Sequence, residues 1–387
     1  MFVYLFIIVF LFLLSGSRVP RQMSSCVLFL LMVFLCFGYM TGSDWRVYES
    51  EYYEEFSARL VEPGYMLLSN LFCRAGVNFW VFHILFKCLF FITFIVFLRD
   101  YVKPQADNGL LCDSGKAEFH TQFFCGLMLW VASFGFYLLI DCPFRNMISC
   151  MVVIPAFLCL FQRRYVLYYA LVLLAMSFHY SALLLLFLPL VKVDNLSTKL
   201  LLGIYFAVLL VMAIGGSELV LSLVSKALPP VLQDRILYYE EEYVGSSVFS
   251  VGLIPRLLCL WGILKYRTRI VEKYTYGNKI ISYCYFYLII CLIYYVFPVL
   301  FRCALYLAPF YILGIVYALD SMKQSLKTPV KIAWLVIALG VTLSTVRSQY
   351  YVPYTNILYH YIAGDMHDYY YRDNYNLRIS PFKTPTD

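Results

Sequence analysis

Charged side chains are scarce in this chain. Of its 387 residues only 14% are Asp, Glu, Lys or Arg, whereas 62% are hydrophobic. A soluble domain carries about a quarter charged residues, so the scarcity excludes a soluble globular enzyme, a disordered chain and a secreted disulfide scaffold. Apolar runs recur along nearly the whole length. They predict an all-α polytopic membrane protein with about 10–12 transmembrane segments, and we expect residues 1–387 to form a single membrane domain.

The sequence also lacks the common motifs of metal-binding, redox and nucleotide-binding proteins. The 13 cysteines include no C-x-x-C pair, which gives zinc and thioredoxin-type sites no support. The sequence has no phosphate-binding loop, no dinucleotide-binding glycine pattern and no metalloprotease His-Glu pair. The net charge of +7 is scattered and forms no basic stripe, so no nucleic-acid partner is expected. The stretch from His360 to Asp368 has metal-ligand residue types at a spacing that matches no metal motif. We therefore expect neither a metal nor a cofactor.

The distribution of Lys and Arg predicts how the chain crosses the membrane. Arg18 and Arg21 follow the first apolar run, which places the N-terminus outside and the other end of this run in the cytoplasm. If the long run Tyr165–Val191 were a single span, eight later basic residues would lie outside: Lys265, Arg267, Arg269, Lys273, Lys279, Lys323, Lys327 and Lys331. That arrangement violates the positive-inside bias.

The conflict disappears if Tyr165–Val191 enters and leaves the membrane on the cytoplasmic side. We therefore predict a broken, re-entrant hairpin hinged near residues 178–181, with His179 close to its tip. Non-helical backbone at such depth is tolerated only where protein surrounds it or a watery cavity lines it.

The same threading gathers four segments on the outer face. They are residues 41–78, the turn at 141–146, the loop 215–249 and the tail 347–387. The first segment contains Glu62-Pro63-Gly64-Tyr65 after an acidic, aromatic stretch. Proline suits the first turn of a helix, and apolar residues then recur at helical spacing, so we expect a helix in the outer interface. This helix is either an interfacial anchor or one that grips substrate.

Ionisable residues inside apolar runs are costly and are usually paired or functional. Arg145, Arg256 and Arg302 map to the outer half of the membrane, and His179 lies within the hairpin. Each alone is equally consistent with a structural hydrogen bond. Together they matter more, because a guanidinium matches phosphate with two parallel hydrogen bonds. Three arginines near one face, beside acidic loops, are what a site for a lipid pyrophosphate needs.

Five short motifs follow one another in a recognisable order. They are Asp44-Trp45-Arg46-Val47-Tyr48, Glu62-Pro63-Gly64-Tyr65, Phe144-Arg145-Asn146, Ala175-Met176-Ser177-Phe178-His179-Tyr180-Ser181-Ala182, and Phe301-Arg302-Cys303-Ala304-Leu305-Tyr306. In order and spacing they resemble the EpsG family, which belongs with the Wzy-type polymerases of bacterial surface polysaccharides. Asn146 departs from the family pattern, in which Gln is expected after the arginine.

The resemblance implies a GT-C-like glycosyltransferase in the inner membrane of a Gram-negative bacterium. Such a protein joins undecaprenyl-pyrophosphate-linked oligosaccharide repeat units into O-antigen, capsule or exopolysaccharide at the periplasmic face. It uses no metal and no nucleotide sugar. The implied partners are the lipid-linked oligosaccharide, membrane lipid, and the flippase and chain-length regulator of the same pathway.

Transfer from a lipid pyrophosphate needs a stabilised leaving phosphate and a group that deprotonates or orients a sugar hydroxyl. We expect Arg145 and Arg302 to stabilise the phosphate. Asp44 and His179 are the candidates for the base, Asp44 for its external position and His179 for its depth. The remaining substrate contacts are expected from Tyr48, Glu62, Tyr65, Asn146 and Arg256.

Three other functions remain open at this point. An O-antigen ligase would use the same donor and move finished glycan onto a lipid core. A flippase of lipid-linked glycans should show internal repeats, and none stands out here. A scaffold protein has no need of several ionisable residues at membrane depth, which argues against that function.

Overall fold

The computed structural model describes residues 1–17, 19–53, 62–103, 113–214, 249–294, 300–348, 350–368, 370–372 and 374–375. For residues 113–118 only the backbone is described. Within these residues the chain is helical and contains no β-strand, although one isolated antiparallel bridge joins Gly38 to Asn356. Of the expected external segments, residues 54–61, nearly all of the loop 215–249 and residues 376–387 lie outside the described residues.

The helices follow one another along the described chain. Their bounds are α1 Phe2–Ser15, α2 Arg21–Cys36, α3 Trp45–Tyr53, α4 Pro63–Arg74, α5 Phe79–Val102, α6 Asp113–Trp130, α7 Phe144–Phe161, α8 Tyr165–Phe178, α9 Thr198–Ala213, α10 Leu253–Lys265, α11 Arg267–Lys273, α12 Gly277–Tyr294, α13 Leu300–Asp320, α14 Gln324–Val346 and α15 Ile357–Ala363. Two π-helical turns, Val131–Gly135 and Tyr137–Asp141, extend α6, and a 3₁₀-helix, Tyr180–Leu190, follows α8.

Five of the described helices are long and apolar enough to cross a membrane, namely α5, α7, α12, α13 and α14. Five shorter apolar helices accompany them: α1, α2, α8, the 3₁₀-helix and α9. Helix α13 is buried along nearly its whole length and forms the centre, whereas most of α14 faces outward. The prediction of an all-α polytopic membrane protein is confirmed. That the chain is a single domain stays a prediction.

The long apolar run after α7 is broken, as the charge distribution predicts. Helix α8 ends at Phe178, His179 has an extended backbone, and the 3₁₀-helix begins at Tyr180. The hydroxyl of Tyr168 donates to the carbonyl of Leu185, so the two halves run antiparallel. At about 1.5 Å per residue in α8 and 2.0 Å in the 3₁₀-helix, each arm is roughly 21–22 Å long, which is shorter than a hydrocarbon core of about 30 Å.

Both arms of this hairpin start from the same end of the bundle. The segment from α11 to the first turn of α12 touches the chain just before α8 and just after the 3₁₀-helix. Lys279 Nζ donates to the carbonyl of Phe161 at 2.8 Å, and Arg267 donates to the carbonyls of Val193 and Leu196 at 2.8 and 2.7 Å. The hairpin is therefore re-entrant. Which side of the membrane this end faces stays a prediction from the Lys and Arg pattern.

The opposite end of the bundle holds the tail that follows α14. The amide of Tyr39 donates to the carbonyl of Thr355 at 3.0 Å, and the amide of Gly42 donates to the carbonyl of Tyr350 at 2.8 Å. The hydroxyl of Tyr4, near the start of α1, donates to the carbonyl of Tyr351 at 2.6 Å. The N-terminus, the segment after α2 and the tail therefore share one end, as the threading predicts.

Candidate functional site

Polar side chains from five separate elements meet at the end of the bundle that holds the tail. Asp44 directly precedes α3 and Glu62 directly precedes α4. Arg145 and Arg302 lie in the first turns of α7 and α13, and His179 forms the tip of the hairpin. Glu62 is buried, and the other four are half-buried. A partly open cluster of this kind can accept a ligand.

Glycine brings helix α4 against the hairpin tip. Pro63 is the first residue of α4, and a Cβ added to Gly64 would lie only 2.9 Å from the carbonyl oxygen of Ser177. Only glycine permits that approach of two backbones. Tyr65 is then buried edge-on against Phe144, with ring centroids 6.1 Å apart. The sequence Glu62-Pro63-Gly64-Tyr65 thus fixes the carboxylate of Glu62 beside α7.

Three contacts orient the guanidinium of Arg145. Its Nη1 lies 3.0 Å from Oε2 of Glu62. Its central carbon lies 5.4 Å from the ring centroid of Tyr48 and 5.9 Å from that of Tyr65, distances typical of cation–π contacts. Burial raises the pKa of the Tyr48 hydroxyl to about 12, so this hydroxyl is protonated at neutral pH. A guanidinium carries five N–H donors, and the Glu62 contact uses one.

Arg302 contacts the hairpin tip directly. Its Nη1 lies 3.2 Å from Nε2 of His179, and His179 Nδ1 lies 2.7 Å from Oγ of Ser181. Since arginine can only donate, Nε2 is the acceptor in this contact. Nδ1 faces two groups of Ser181, the hydroxyl oxygen at 2.7 Å and the backbone amide nitrogen at 3.2 Å. The ring therefore holds Arg302 on one side and is itself fixed on the other.

A buried hydrogen-bond network supports the imidazole. The hydroxyl of Tyr306 lies 3.0 Å from Ser181 Oγ and donates to Ser149 Oγ at 3.0 Å, and Ser149 Oγ donates to the carbonyl of Ala175 at 2.9 Å. Asn146 Nδ2 donates to both Ser181 Oγ and the Tyr306 hydroxyl, each at 3.2 Å. A buried network whose polar groups are hydrogen-bonded to one another holds these side chains in fixed positions behind His179.

Asn146 belongs to this hydrogen-bond network. Its side chain is fully buried, and its amide contacts protein groups. Its predicted role as a substrate contact stays untested, but the geometry favours a positioning role. Ser149, Ser181 and Tyr306 were not singled out from the sequence, although Ser181 and Tyr306 lie inside two of the five motifs.

Two carboxylates share one hydroxyl in the Asp44 segment. Ser43 Oγ lies 3.0 Å from Oδ1 of Asp44 and 2.9 Å from Oδ1 of Asp141, while the amide of Ser43 donates to the same Asp141 oxygen at 2.7 Å. Gly42 has a positive φ of 93°, and a Cβ there would lie 2.7 Å from the Cα of Asp141. The hydroxyl of Tyr351 lies 3.5 Å from Oδ2 of Asp141. We call Ser43, Asp44 and Asp141 the acidic corner.

The arginines and the acidic corner belong to one site. The charged groups of Asp44, Arg145 and Arg302 lie close enough to the Tyr48 hydroxyl to interact with it electrostatically. The imidazole of His179 interacts electrostatically with both arginines. The hydroxyl of Tyr137 interacts in the same way with Asp44, Asp141 and Arg302. The structure thus brings together eight of the nine residues singled out from the sequence: Asp44, Tyr48, Glu62, Tyr65, Arg145, Asn146, His179 and Arg302.

Arg256 lies apart from this cluster. It donates to the hydroxyl of Tyr294, and its guanidinium carbon lies 5.1 Å from the centroid of that ring. Tyr294 contacts Phe301 with centroids 5.4 Å apart, and Phe301 contacts Tyr137 at 5.3 Å. Two aromatic rings therefore lie between Arg256 and Tyr137. A direct substrate contact by Arg256 stays a prediction.

In the described part of the tail, the residues with metal-ligand side chains contact other protein groups. His360 Nδ1 pairs with Oδ1 of Asp365 at 3.0 Å, and His367 stacks on Tyr371 with centroids 3.9 Å apart. Among the described residues no three His, Cys, Asp or Glu side chains are grouped to hold a metal ion.

Comparison with known proteins identifies one family. The model of the EpsG family matches residues 21–356. All residues of the cluster lie within that range. Neither a curated protein nor a solved structure matches the chain at a significant level.

Proposed function

The chain belongs to the EpsG family, and we propose that it is a polysaccharide polymerase of the Wzy type. In this proposal it joins oligosaccharide repeat units carried on undecaprenyl pyrophosphate, at the periplasmic face of a bacterial inner membrane. The product is O-antigen, capsule or exopolysaccharide. The enzyme is a glycosyltransferase that takes its donor from the membrane.

One observation carries the proposal: two arginines from different helices converge on one half-buried site. Arg145 is oriented by Glu62, Tyr48 and Tyr65, and Arg302 is oriented by His179. Both guanidinium groups are held before any ligand arrives, so little reorganisation is needed when negative charge develops on a leaving phosphate. Tyrosine rings beside them suit the apolar face of a sugar.

The transfer has a simple atomic balance. A hydroxyl oxygen of the acceptor sugar attacks the anomeric carbon of the donor, and the bond from that carbon to the phosphate oxygen breaks. The lipid diphosphate leaves with the bonding electron pair and is stabilised by Arg145 and Arg302. The hydroxyl proton passes to a carboxylate.

The geometry favours Asp44 as that base. The Nε2 lone pair of His179 already accepts from Arg302, and Nδ1 faces Ser181. Asp44 is half-buried at the edge of the site and shares the Ser43 hydroxyl with Asp141. A hydroxyl has one proton, so Ser43 serves one carboxylate at a time. When Asp44 gains a proton, Ser43 is free to turn to Asp141.

The experiment is a surface-polysaccharide ladder from a strain that lacks the gene. The strain is complemented with wild type, Arg145→Ala, Arg302→Ala or, as a matched control, Arg74→Ala. Arg74 is an exposed arginine at the end of α4. We expect wild type and Arg74→Ala to restore the ladder and both site variants to leave single repeat units, with equal amounts of each protein in the membrane.

Two outcomes contradict the proposal. A full ladder in the strain without the gene excludes a polymerase. Long glycan that remains on the carrier lipid in that strain indicates a ligase instead, because polymerisation then proceeds and only the transfer to the lipid core is lost.

A further inference from the structure

A polar cavity lies at the end of the bundle opposite the candidate site. Its volume is about 460 Å³, and it is bordered by α1, α6, α13 and α14. Arg302 and Asp320 mark the two ends of α13. At about 1.5 Å per residue they are roughly 27 Å apart along that helix. The cavity is therefore separate from the arginine site.

One face of α14 forms the outer wall of the cavity. Gln324, Lys327, Thr328 and Lys331 line it at positions i, i+3, i+4 and i+7, which is the spacing of a single helical face. Gln324 and Thr328 are exposed and form the rim, whereas both lysines are half-buried. The wall therefore presents hydrogen-bond donors and positive charge.

The inner wall contains a buried amide with no partner. The side chain of Gln122, on α6, is 4% exposed and lines the cavity. Neither its oxygen nor its nitrogen has a hydrogen-bond partner in the protein. Buried amides left in this state are costly and rare. A ligand that supplies both an acceptor for the nitrogen and a donor for the oxygen would satisfy the amide.

The charge balance of the cavity favours an anion. Asp320 pairs with Lys273 at 2.6 Å and with Lys327 at 3.5 Å, and it accepts from the Tyr274 hydroxyl at 2.7 Å. Lys331 has no anionic partner among the described residues. The three charged side chains that line the cavity, Lys327, Lys331 and Asp320, carry a net charge of +1.

The surroundings of the cavity suit a lipid. Leu13 on α1 and Ile332 and Val336 on α14 are 59%, 48% and 63% exposed, so the two helices that flank the rim present apolar outer surfaces. Acyl chains can lie along such surfaces while a head group enters between the helices. On the threading derived from Lys and Arg, this end faces the cytoplasm, where basic pockets between helices bind anionic head groups.

We propose that this cavity binds the phosphate of an anionic phospholipid whose head group also carries a hydroxyl, as in phosphatidylglycerol. Lys331 and the rim residues bind the phosphate. The amide nitrogen of Gln122 donates to a phosphate oxygen, and its amide oxygen accepts from the head-group hydroxyl.

The test is native mass spectrometry on the full-length protein in a neutral detergent. The protein is titrated with phosphatidylglycerol, with phosphatidylcholine of the same acyl chains, and with glycerol 3-phosphate as a soluble source of the same chemistry. We expect one phosphatidylglycerol to bind at least about tenfold more tightly than phosphatidylcholine, since loss of a charge-assisted hydrogen bond corresponds to about a tenfold change.

Three variants define the site. Lys331→Gln should weaken binding of phosphatidylglycerol about tenfold, whereas Lys323→Gln, an exposed lysine at the start of the same helix that does not line the cavity, should not. Gln122→Leu should weaken lipid binding and at the same time raise the unfolding temperature of the lipid-free protein, because it removes an unsatisfied amide. A purely structural glutamine would not give that combination.

The outcomes that overturn the proposal are distinct. If wild type and Lys331→Gln bind phosphatidylglycerol equally, or if wild type binds the two phospholipids equally, the cavity is not a site for an anionic phospholipid. If glycerol 3-phosphate binds as tightly as phosphatidylglycerol, the ligand of the cavity is a soluble phosphate compound, and the proposal of a lipid ligand is wrong. None of these measurements depends on the polysaccharide ladder, so failure here leaves the polymerase proposal untouched.

Discussion

The guanidinium of Arg302 donates to Nε2 of His179 at 3.2 Å. Arg302 is in the first turn of a central helix, and His179 is the tip of a re-entrant hairpin. The contact links two elements that are 123 residues apart in the chain. In the mechanism proposed above His179 is therefore a positioning residue and not the base, because its Nε2 already accepts from Arg302.

This relationship predicts different behaviour for two substitutions of His179. A glutamine side chain can offer an oxygen acceptor to Arg302, whereas a leucine of similar size cannot. We expect His179→Gln to retain roughly tenfold more activity than His179→Leu, because hydrogen bonds to charged groups contribute about 1.5–3 kcal/mol. The measurement is the rate of chain extension in membranes from the complemented strains.

If His179 were the base, both variants would lose activity to the same extent. Equal loss in the two strains, at equal protein levels, would therefore refute the positioning role.

Lysine should not replace Arg145. Arg145 contacts Glu62 through one nitrogen and lies over the rings of Tyr48 and Tyr65. A lysine can keep the charge but cannot make the planar, two-pronged contact with phosphate. We expect Arg145→Lys to shorten the polysaccharide ladder and to lower the extension rate by about tenfold or more. Arg74→Lys is the matched control, and an Arg145→Lys strain with chains of normal length would contradict the assigned role.

Gly64 should tolerate no side chain. A Cβ there would lie 2.9 Å from the carbonyl oxygen and 2.9 Å from the Cβ of Ser177. We expect Gly64→Ala to lower the free energy of unfolding by about 1–3 kcal/mol, as overpacking does, and to displace Glu62 from Arg145. Thermal unfolding of the purified protein measures the effect.

Two further variants make this prediction specific. Ser177→Ala should rescue Gly64→Ala only in part, because the backbone oxygen stays in place. Gly203→Ala, in α9, adds a Cβ that meets nothing within 4 Å and should be neutral or slightly stabilising. A Gly64→Ala protein as stable as Gly203→Ala would show that α4 does not pack tightly on the hairpin.

The two ends of the bundle should differ in their access to a membrane-impermeant thiol reagent. Asn195, after the hairpin, and Thr275, before α12, are exposed at one end, and Tyr361 in the tail is exposed at the other. We expect cysteines at positions 195 and 275 to react only in permeabilised cells, and a cysteine at 361 to react in intact spheroplasts. Labelling of both 195 and 275 from outside would reverse the assigned orientation.

The hairpin was predictable from the sequence because it follows from a global pattern of charge. A single span over Tyr165–Val191 would place eight later Lys and Arg residues, those between Lys265 and Lys279 and between Lys323 and Lys331, on the outer side. A break near residues 178–181 returns them to the cytoplasmic side, in agreement with the positive-inside bias. The convergence of Arg145, Arg302 and His179 was predictable for a related reason. Charged groups within apolar runs are few, and the threading placed Arg145, Arg256 and Arg302 in the outer half of the membrane and His179 near the tip of the hairpin. It could not show that Arg256 contacts Tyr294 instead of joining the cluster.

The network behind His179 could not be predicted in this way. Ser149, Ser181 and Tyr306 carry no charge and are common in apolar helices, so they give no signal against the hydrophobic background. Their contacts join residues 125 and 157 positions apart, which no local periodicity reveals. The sequence likewise gives no sign that the Asn146 amide hydrogen-bonds to Ser181 and Tyr306, and its predicted substrate contact stays a prediction.

In the sequence, Asp141 gives no signal beyond its place at the start of the turn 141–146. Its role as one half of the acidic corner depends on Gly42, whose positive φ lets the Ser43 segment approach the end of α6. Glycine conformation at one position thus decides whether Asp44 reaches the site. A sequence pattern alone does not show which backbone the glycine meets.

The docking of the tail also has a consequence for how the protein is made. Tyr350 and Tyr351 contact Gly42 and Asp141 and so complete the surroundings of the acidic corner. About 300 residues separate Asp44 from Tyr351, and a ribosome that adds about 5–20 residues per second needs roughly 15–60 s to cover them. Throughout that interval Asp44, the candidate base, lacks the neighbouring residues that the tail supplies. A transcript truncated just after α14 would therefore yield an inserted but inactive protein, and catalytic competence would be among the last properties to arise during biogenesis.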